Sequence, residues 1–315
     1  MTKKIIVVGD VMLDSYWLGV STRLSPEAPV PIINVQEIEN RLGGAANVAL
    51  NLAKLGANTE ICGLIGEDNS GKIILEKLSD NGINTHLELS GTPTINKIRL
   101  ISQNQQVVRA DFEKKYEEYS IAKVTEKALT AVRTASVVIC SDYGKGVLTN
   151  VSKMISQCRM LNIPVLIDPK GNDYKKYKGA TVITPNKNEL RAVVGEWSDE
   201  TDLRVKAQNL RTDLQLEKLL LTRSEEGMTL FGENEIIDIP TNAREVYDVS
   251  GAGDTAIATL ALMLSNGKSW KEAVMMANKA AGIVVGRFGT VAITASELQG
   301  TSKNNQGSKF LIPLF

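Results

Sequence analysis

The sequence predicts an α/β fold: a doubly wound, mostly parallel sheet flanked by helices, with a small second sheet set apart from it. Apolar runs of strand length, beginning at residues 4–9, lack the polar alternation of a half-exposed strand and read as strands covered on both faces. They alternate with stretches of helical periodicity, as parallel strands joined by right-handed crossovers do. Two segments, 14–38 and 95–112, break that alternation. The first carries Pro26, Pro29 and Pro31 among extended apolar residues, and the second alternates Ile95, Lys97, Arg99 and Ile101, so together they form the small sheet.

In chain order, the first strand ends at Gly9-Asp10. Gly43-Gly44-Ala45-Ala46-Asn47 opens a helix whose Val48, Leu52 and Leu55 recur at helical spacing before Gly56 stops it. A strand follows at 59–64, a helix at 70–81 and a strand at 85–89. In the second irregular segment Gln105-Gln106 reads as the turn. The pattern resumes with helix 120–132, strand 136–140, helix 149–161, strands 163–167 and 181–183, helices 187–194 and 201–213, and strand 217–222. Residues 228–231 and 235–239, with Gly232 near the turn, read as an antiparallel edge. Helices at 252–265 and 269–285 close the domain, which is expected to span 1–300. Residues 301–315 open on a polar, aperiodic run that reads as a tail or the start of a linker. No internal repeat of solenoid period is present.

Composition narrows the function classes. A hydrophobic share of 43% and 23% charged residues over 315 residues suit one sizeable globular core. Lys+Arg and Asp+Glu both count 36, so nothing in the balance points to nucleic acid or an acidic membrane. Cys62, Cys140 and Cys158 lie widely spaced in or beside apolar runs and read as buried thiols in a reducing compartment. His86 is the only histidine, which excludes most multi-histidine metal sites and Ser-His-Asp triads. No stretch reaches the roughly 18 apolar residues of a membrane span, and the expected location is the cytoplasm.

The chemistry concentrates in Asp248-Val249-Ser250-Gly251-Ala252-Gly253-Asp254-Thr255, just before a long apolar helix. Gly251 and Gly253 permit a tight turn and close backbone approach, and N–H groups opening a helix favour an anion such as a phosphoryl group. Asp254 falls in the first turn, where a carboxylate can take a proton from an attacking hydroxyl or serve as an ordinary helix-capping acid. Asp10, Asp142, Asp168 with Lys170, and Asn186 with Glu189 each follow a strand, and so share the carboxyl edge where open α/β sheets bind ligands. Asp10 is a candidate for a sugar hydroxyl, and Asn47 can donate and accept to a sugar. The Gly43-Gly44 pair suits either a close substrate or a tight loop–helix junction.

Gly43-Gly44 with Asn47, Asn186-x-x-Glu189 and Asp248-x-x-Gly251-Ala252-Gly253-Asp254-Thr255 resemble the signatures of the ribokinase-like, phosphofructokinase-B type carbohydrate kinases. Ser25-Pro26-Glu27-Ala28-Pro29-Val30-Pro31, Asn104-Gln105-Gln106 leading to Arg109-x-Asp111-Phe112-Glu113, Ser141-Asp142-Tyr143-Gly144-Lys145-Gly146, Asp168-Pro169-Lys170-Gly171 and Thr222-Arg223-Ser224-Glu225 resemble, more narrowly, the D-glycero-β-D-manno-heptose 7-phosphate kinases. The resemblance spans nearly the whole chain. It implies transfer of the γ-phosphoryl of ATP to the C1 hydroxyl of a heptose 7-phosphate, on the route to ADP-heptose and the lipopolysaccharide core. Asp254 is then the base, and Gly251, Ala252 and Gly253 hold the transferring phosphoryl group. Asn186 and Glu189 organise Mg²⁺ through water. Asp10, Gly43, Gly44, Asn47 and Asp142 face the substrate, with Arg99, Arg109, Lys145 and Lys170 as candidate cations for its distal phosphate. Thr222, Arg223, Ser224, Glu225, Gly227 and Asn278 line the nucleotide.

Segments 14–38 and 95–112 become a lid over the sugar that meets its twin in a homodimer. No His-x-Gly-His turn of a following nucleotidyltransferase domain is present, so the chain reads as a monofunctional kinase if complete, or as the kinase half of a longer protein. Two alternatives stand beside this one: a kinase for another sugar phosphate such as a ketohexose phosphate, and a non-catalytic sensor of a sugar phosphate or nucleotide.

Overall fold

The computed structural model describes residues 3–103, 105–241 and 246–300. The first parallel strand, β1 (Lys4–Gly9), has almost no exposed side chain because both sheet faces are covered by helices, as its unbroken apolar run requires. It lies inside a nine-stranded sheet with β4 (Asn58–Gly66) and β5 (Asn84–Ser90) on one side. On the other side come β8 (Val137–Ser141), β9 (Val165–Asp168), β10 (Val182–Ile183) and β11 (Lys218–Thr222). These seven strands run parallel. The hairpin β12 (Met228–Phe231) and β13 (Ile236–Ile239) adds the antiparallel edge expected there.

Helices α1 (Ala45–Lys54), α7 (Ala252–Ser265) and α8 (Trp270–Val284) pack on one face; α3 (Glu118–Ala131), α4 (Val151–Met160) and α6 (Glu200–Asp213) pack on the other. The two apolar layers are separate clusters, built by alternate residues of the same strands: Ile6 and Val8 face one, Ile5 and Val7 the other. The three cysteines are free and buried. No helix among the described residues is long and apolar enough to cross a membrane.

The second sheet has four strands in the order β3-β2-β6-β7. Its strands are longer than the proline-rich sequence suggests: β2 runs Val11–Leu24 and β3 Pro31–Gly44, with the three prolines in and just after the connection. Strand β2 continues β1 after a single residue, Asp10, so the small sheet expected to form the lid grows directly out of the carboxyl edge of the large sheet. Gln105 and Gln106 are not a turn: they begin β7 (Gln105–Phe112), paired with Ser102 and Ile101 of β6 (Ile95–Ser102). Gln103, at a φ of 50°, starts the bend instead. A short helix, α9 (Ala295–Gln299), stapled by a capping box at Thr294 and Glu297, has too few residues for its periodicity to be read in sequence. Asn104 and the expected tail at 301–315 lie outside the described residues.

The register sorts the small sheet into two faces. Asp14, Tyr16, Lys97, Arg99, Arg109 and Asp111 share one; Trp17, Ile38, Ile98, Leu100, Val108 and Ala110 share the other. Gly227, between the 3₁₀ turn Ser224–Glu226 and β12, sits at a φ of 92°, and a Cβ there would run into the Ile239 carbonyl oxygen. Gly227→Ala is therefore expected to destabilise the protein by about 2 kcal/mol or more, since backbone cannot yield as a side chain can. Urea denaturation checks it; an unchanged midpoint would show that the loop relaxes freely.

Candidate active site

The helix-opening turn is built as its sequence indicates. Gly251 caps α7 at a φ of 78°, a left-handed conformation that favours glycine, and a Cβ there would crowd the Asn47 amide at 3.1 Å. The Ala252 amide donates to Val249 O at 3.2 Å and that of Thr255 to Gly251 O at 3.0 Å, which leaves those of Gly253 and Asp254 without an acceptor among the described residues. Nothing lies within 4 Å of where a Gly253 Cβ would be, so the backbone there is open to a ligand. Asp248 braces the turn: its carboxylate accepts from Ser250 N at 2.9 Å and Gly289 N at 2.8 Å.

Asp254 is only 3% exposed, yet it is not a helix cap of the ordinary kind. Its Oδ2 accepts from Asn47 Nδ2 at 2.7 Å and its Oδ1 from the Tyr143 hydroxyl at 2.8 Å. Asn47 is fixed in turn by Asn51, whose Nδ2 donates to Asn47 O at 2.9 Å and whose Oδ1 accepts from Thr255 at 2.9 Å. Helices α1 and α7 thus share a closed polar network inside an apolar contact. Burial raises the Asp254 carboxyl to about 6, opposed by the two hydrogen bonds and assisted by Asp14. A carboxylate poised there is largely ionised at neutral pH and still basic enough to take a hydroxyl proton.

Beside it opens a cleft of about 140 Å³. Gly251, Gly253, Asp254 and Tyr143 form one wall; Asp168, Lys170, Asn186, Glu189 and Thr222 form the other. Asn186 and Glu189 form a capping box on α5 (Lys187–Val194): Asn186 Oδ1 accepts from Glu189 N at 2.9 Å and Glu189 Oε2 from Asn186 N at 3.0 Å. Glu189 Oε1 also takes Lys170 Nζ at 2.9 Å. Burial, with Asp254 and Glu189 facing it, pushes the Asp168 carboxyl well up. No group of three or more His, Cys, Asp or Glu residues fit to hold a metal occurs among the described residues.

Two expected substrate contacts are engaged elsewhere. Asp10 is fully buried, and its carboxylate accepts from Tyr143 N at 2.8 Å, Lys145 N at 3.0 Å and Val147 N at 3.1 Å. It builds the 142–147 loop rather than meeting a sugar. Asp142 likewise takes Gly144 N, Lys176 Nζ and the Tyr177 hydroxyl, each at 2.7 Å. The lid carboxylate that faces Asp254 is Asp14, four residues after Asp10, which sequence inspection passes over because β2 reads there as a break in the pattern. Gly43 and Gly44 serve the tight junction, since a Cβ on Gly43 would meet the Asp14 carboxylate and one on Gly44 the Asp10 carbonyl.

The proposed phosphate cations all carry partners. Arg99 pairs with Asp14 at 2.6 Å, Arg109 with Asp111 at 2.8 Å, Lys145 with Glu113 at 2.7 Å, and Lys170 with Glu189. Lys97 was not singled out from sequence, yet it is half-buried on the same lid face with no ion pair among the described residues. Burial lowers its ammonium, with Arg109 and Lys145 adding to the effect against Asp111 and Asp14. Of the nucleotide residues, Thr222 lines the cleft. Arg223 instead ties α6 to the β11–β12 loop through Glu200, Glu226 and Thr229, and the Asn278 amide donates to Pro240 O at 2.7 Å.

Comparison with known proteins fits this arrangement. Residues 2–297 match the model of the pfkB family carbohydrate kinases. The chain belongs to that family. It is 48% identical over 298 residues to the bifunctional protein HldE of Histophilus somni, and 49% identical over 297 residues to that of Chromohalobacter salexigens. Each alignment covers 94% of this chain but 63% and 62% of the relative, so the chain spans under two thirds of their length. Among solved structures, phosphofructokinase-2 from Escherichia coli in complex with potassium superimposes with a TM-score of 0.81 at 18% identity, covering 96% of this chain and 98% of that one. Ribokinase of Arabidopsis thaliana complexed with ribose and ATP gives 0.76 at 21%, covering 96% and 99%. At those identities the likeness establishes the ribokinase-like fold alone.

The base predicts a pH limb. A kinase that needs Asp254 ionised loses kcat/KM as pH falls through about 6, with the full rate reached above it. Initial rates at saturating nucleotide between pH 5 and 8.5 check this, and a flat profile would remove Asp254 as the titrating group.

Proposed function

We propose that this carbohydrate kinase transfers the γ-phosphoryl of ATP to the C1 hydroxyl of D-glycero-β-D-manno-heptose 7-phosphate, giving the 1,7-bisphosphate. The observation that carries the chemistry is the buried Asp254 carboxylate, with Asn47 on one oxygen, beside the open amide at Gly253. Asp254 accepts the hydroxyl proton as the oxygen attacks, and the amides opening α7 stabilise the negative charge on the group in flight. The substrate identity rests on near-50% identity to the HldE proteins over the kinase-like length, together with the motifs they resemble.

ATP occupies the cleft between the α7 turn and the Asn186–Glu189 wall. Asn186 and Glu189 already satisfy each other in the capping box, so they suit Mg²⁺ bound through water rather than directly, and Mg²⁺ keeps much of its hydration. When bound, that ion neutralises phosphate charge. Lys170, on the same wall, belongs with the nucleotide phosphates more than with the lid cations.

The distal phosphate falls to the lid. Lys97 is a half-buried lid cation with no ion pair among the described residues, flanked by Arg109 and Lys145. The apolar face behind it, with Ile38 at 54% and Val108 at 49% exposure, suits a second copy of the chain, since a bare sheet face and two free edges need cover. The location that fits these soluble substrates is the cytoplasm.

Three outcomes test the reading. Incubation with heptose 7-phosphate and ATP yields a bisphosphate carrying the new group on C1, assigned by phosphorus–proton NMR; faster turnover of a fructose phosphate would favour the ketohexose alternative. Asp254→Asn lowers kcat by about 10³-fold or more while nucleotide affinity holds; retained turnover would remove Asp254 as the base, and a native chain that binds the sugar phosphate without turnover would favour the sensor. Lys97→Met raises KM for the heptose phosphate about tenfold, in line with loss of one charged contact, and leaves KM for ATP unchanged; an unmoved sugar KM takes Lys97 out of the phosphate site.

A further inference from the structure

Asp254 is held from two sides, by Asn47, which the sequence suggests as a sugar contact, and by Tyr143, which it does not mark out on its own. Asn47 comes from α1, while Tyr143 comes from the loop after β8 and places its hydroxyl 2.8 Å from Asp254 Oδ1. That loop has little freedom: Asp10 takes the Tyr143, Lys145 and Val147 amides, and Asp142 takes that of Gly144. Tyr143 is therefore aimed by main-chain hydrogen bonds on both sides, a large outlay of buried charge for a residue that otherwise only lines a cleft. Its phenol remains protonated, because burial and then Asp254 push it well above the ordinary tyrosine range, so the hydroxyl has its proton to donate.

We propose that Tyr143 is a positioning residue for the base: with Asn47 it forms a two-donor clamp that orients the Asp254 carboxylate and favours its ionised form. A carboxylate has about four acceptor sites over its two oxygens, and the clamp takes one on each. The remaining sites stay available to the attacking hydroxyl. Without the phenol proton, burial would act on Asp254 with one donor fewer to oppose it. The titratable groups facing Asp254 are Asp14 from the lid, Asp168 from the end of β9, and Tyr143 itself; Lys170 and Glu189 face Asp168. Asp14 opposes ionisation of Asp254, while Asp168, itself pushed well up by burial and by Asp254, stays neutral beside it, so the donors are the local support of the charge.

This inference rests on Asp254 being the base, and the test separates the two. Tyr143→Phe keeps the ring and removes the donor. The acidic limb of log kcat/KM is expected to move up by about one pH unit, so that the variant loses nearly tenfold near pH 5.5 and almost nothing above pH 8. Independently of activity, the carboxylate infrared band that disappears in Asp254→Asn should titrate at correspondingly higher pH in Tyr143→Phe. An unmoved limb and band, or an equal loss at every pH, would overturn the clamp even with Asp254→Asn inactive. An active Asp254→Asn would instead overturn the reading of the base.

Discussion

A charged carboxylate buried at the start of a helix is the constraint on which the site depends. Asp254 stays inside because three separate elements meet at it: α7 carries it, α1 supplies Asn47, and the loop after β8 supplies Tyr143. Burial without partners would cost several kcal/mol and simply protonate the group; with two donors it settles near 6 instead. The order of the parallel strands is what brings these elements together, since β1 and β8 are neighbours and both end at the edge where α7 begins.

The same edge uses two further carboxylates as scaffolding. Asp10 and Asp142 lie at the ends of adjacent strands and fold a short glycine-containing loop around themselves by accepting main-chain N–H groups. Val147 and Tyr143 pack that loop against the core, but its amides still need acceptors, and an internal anion satisfies several at once. The aspartates that look most like ligand contacts in sequence are consequently those least free to touch one, and the residues they position, Tyr143 and Lys145, are the ones presented to the cleft and the lid.

This explains what the chain disclosed and what it withheld. The parallel core is legible because strands covered on both faces are uniformly apolar, and the α7 turn, which alone reads equally as an ordinary cap, because other polar residues end strands at the same edge. Side-chain direction was not legible. A strand-end aspartate reads the same whether its oxygens face a ligand or the neighbouring loop, so Asp10 was taken for a contact and Asp14, hidden in a long lid strand, was passed over. The lid strands were underestimated because prolines in the connection mask the pairing that continues on either side of it. Tyr143 stands in the sequence only as part of a loop motif, and nothing local to it signals a hydroxyl that reaches across 111 positions to its partner.

The lid carries the remaining logic in its pairing of charges. Asp14 with Arg99, Arg109 with Asp111 and Lys145 with Glu113 leave its site-facing side nearly balanced before any ligand arrives. An overall charge of zero gives no long-range pull on a sugar phosphate, so selection must act at contact. On the proposed reading, a phosphate dianion entering such a surface would exchange partners with cations that already lie partly out of water, which would lower the desolvation still to be met. It also gives a neutral sugar no reason to break those pairs. On that reading, paired cations around Lys97, which has no ion pair among the described residues, discriminate by what they require of the ligand, where a bare basic patch would attract any anion.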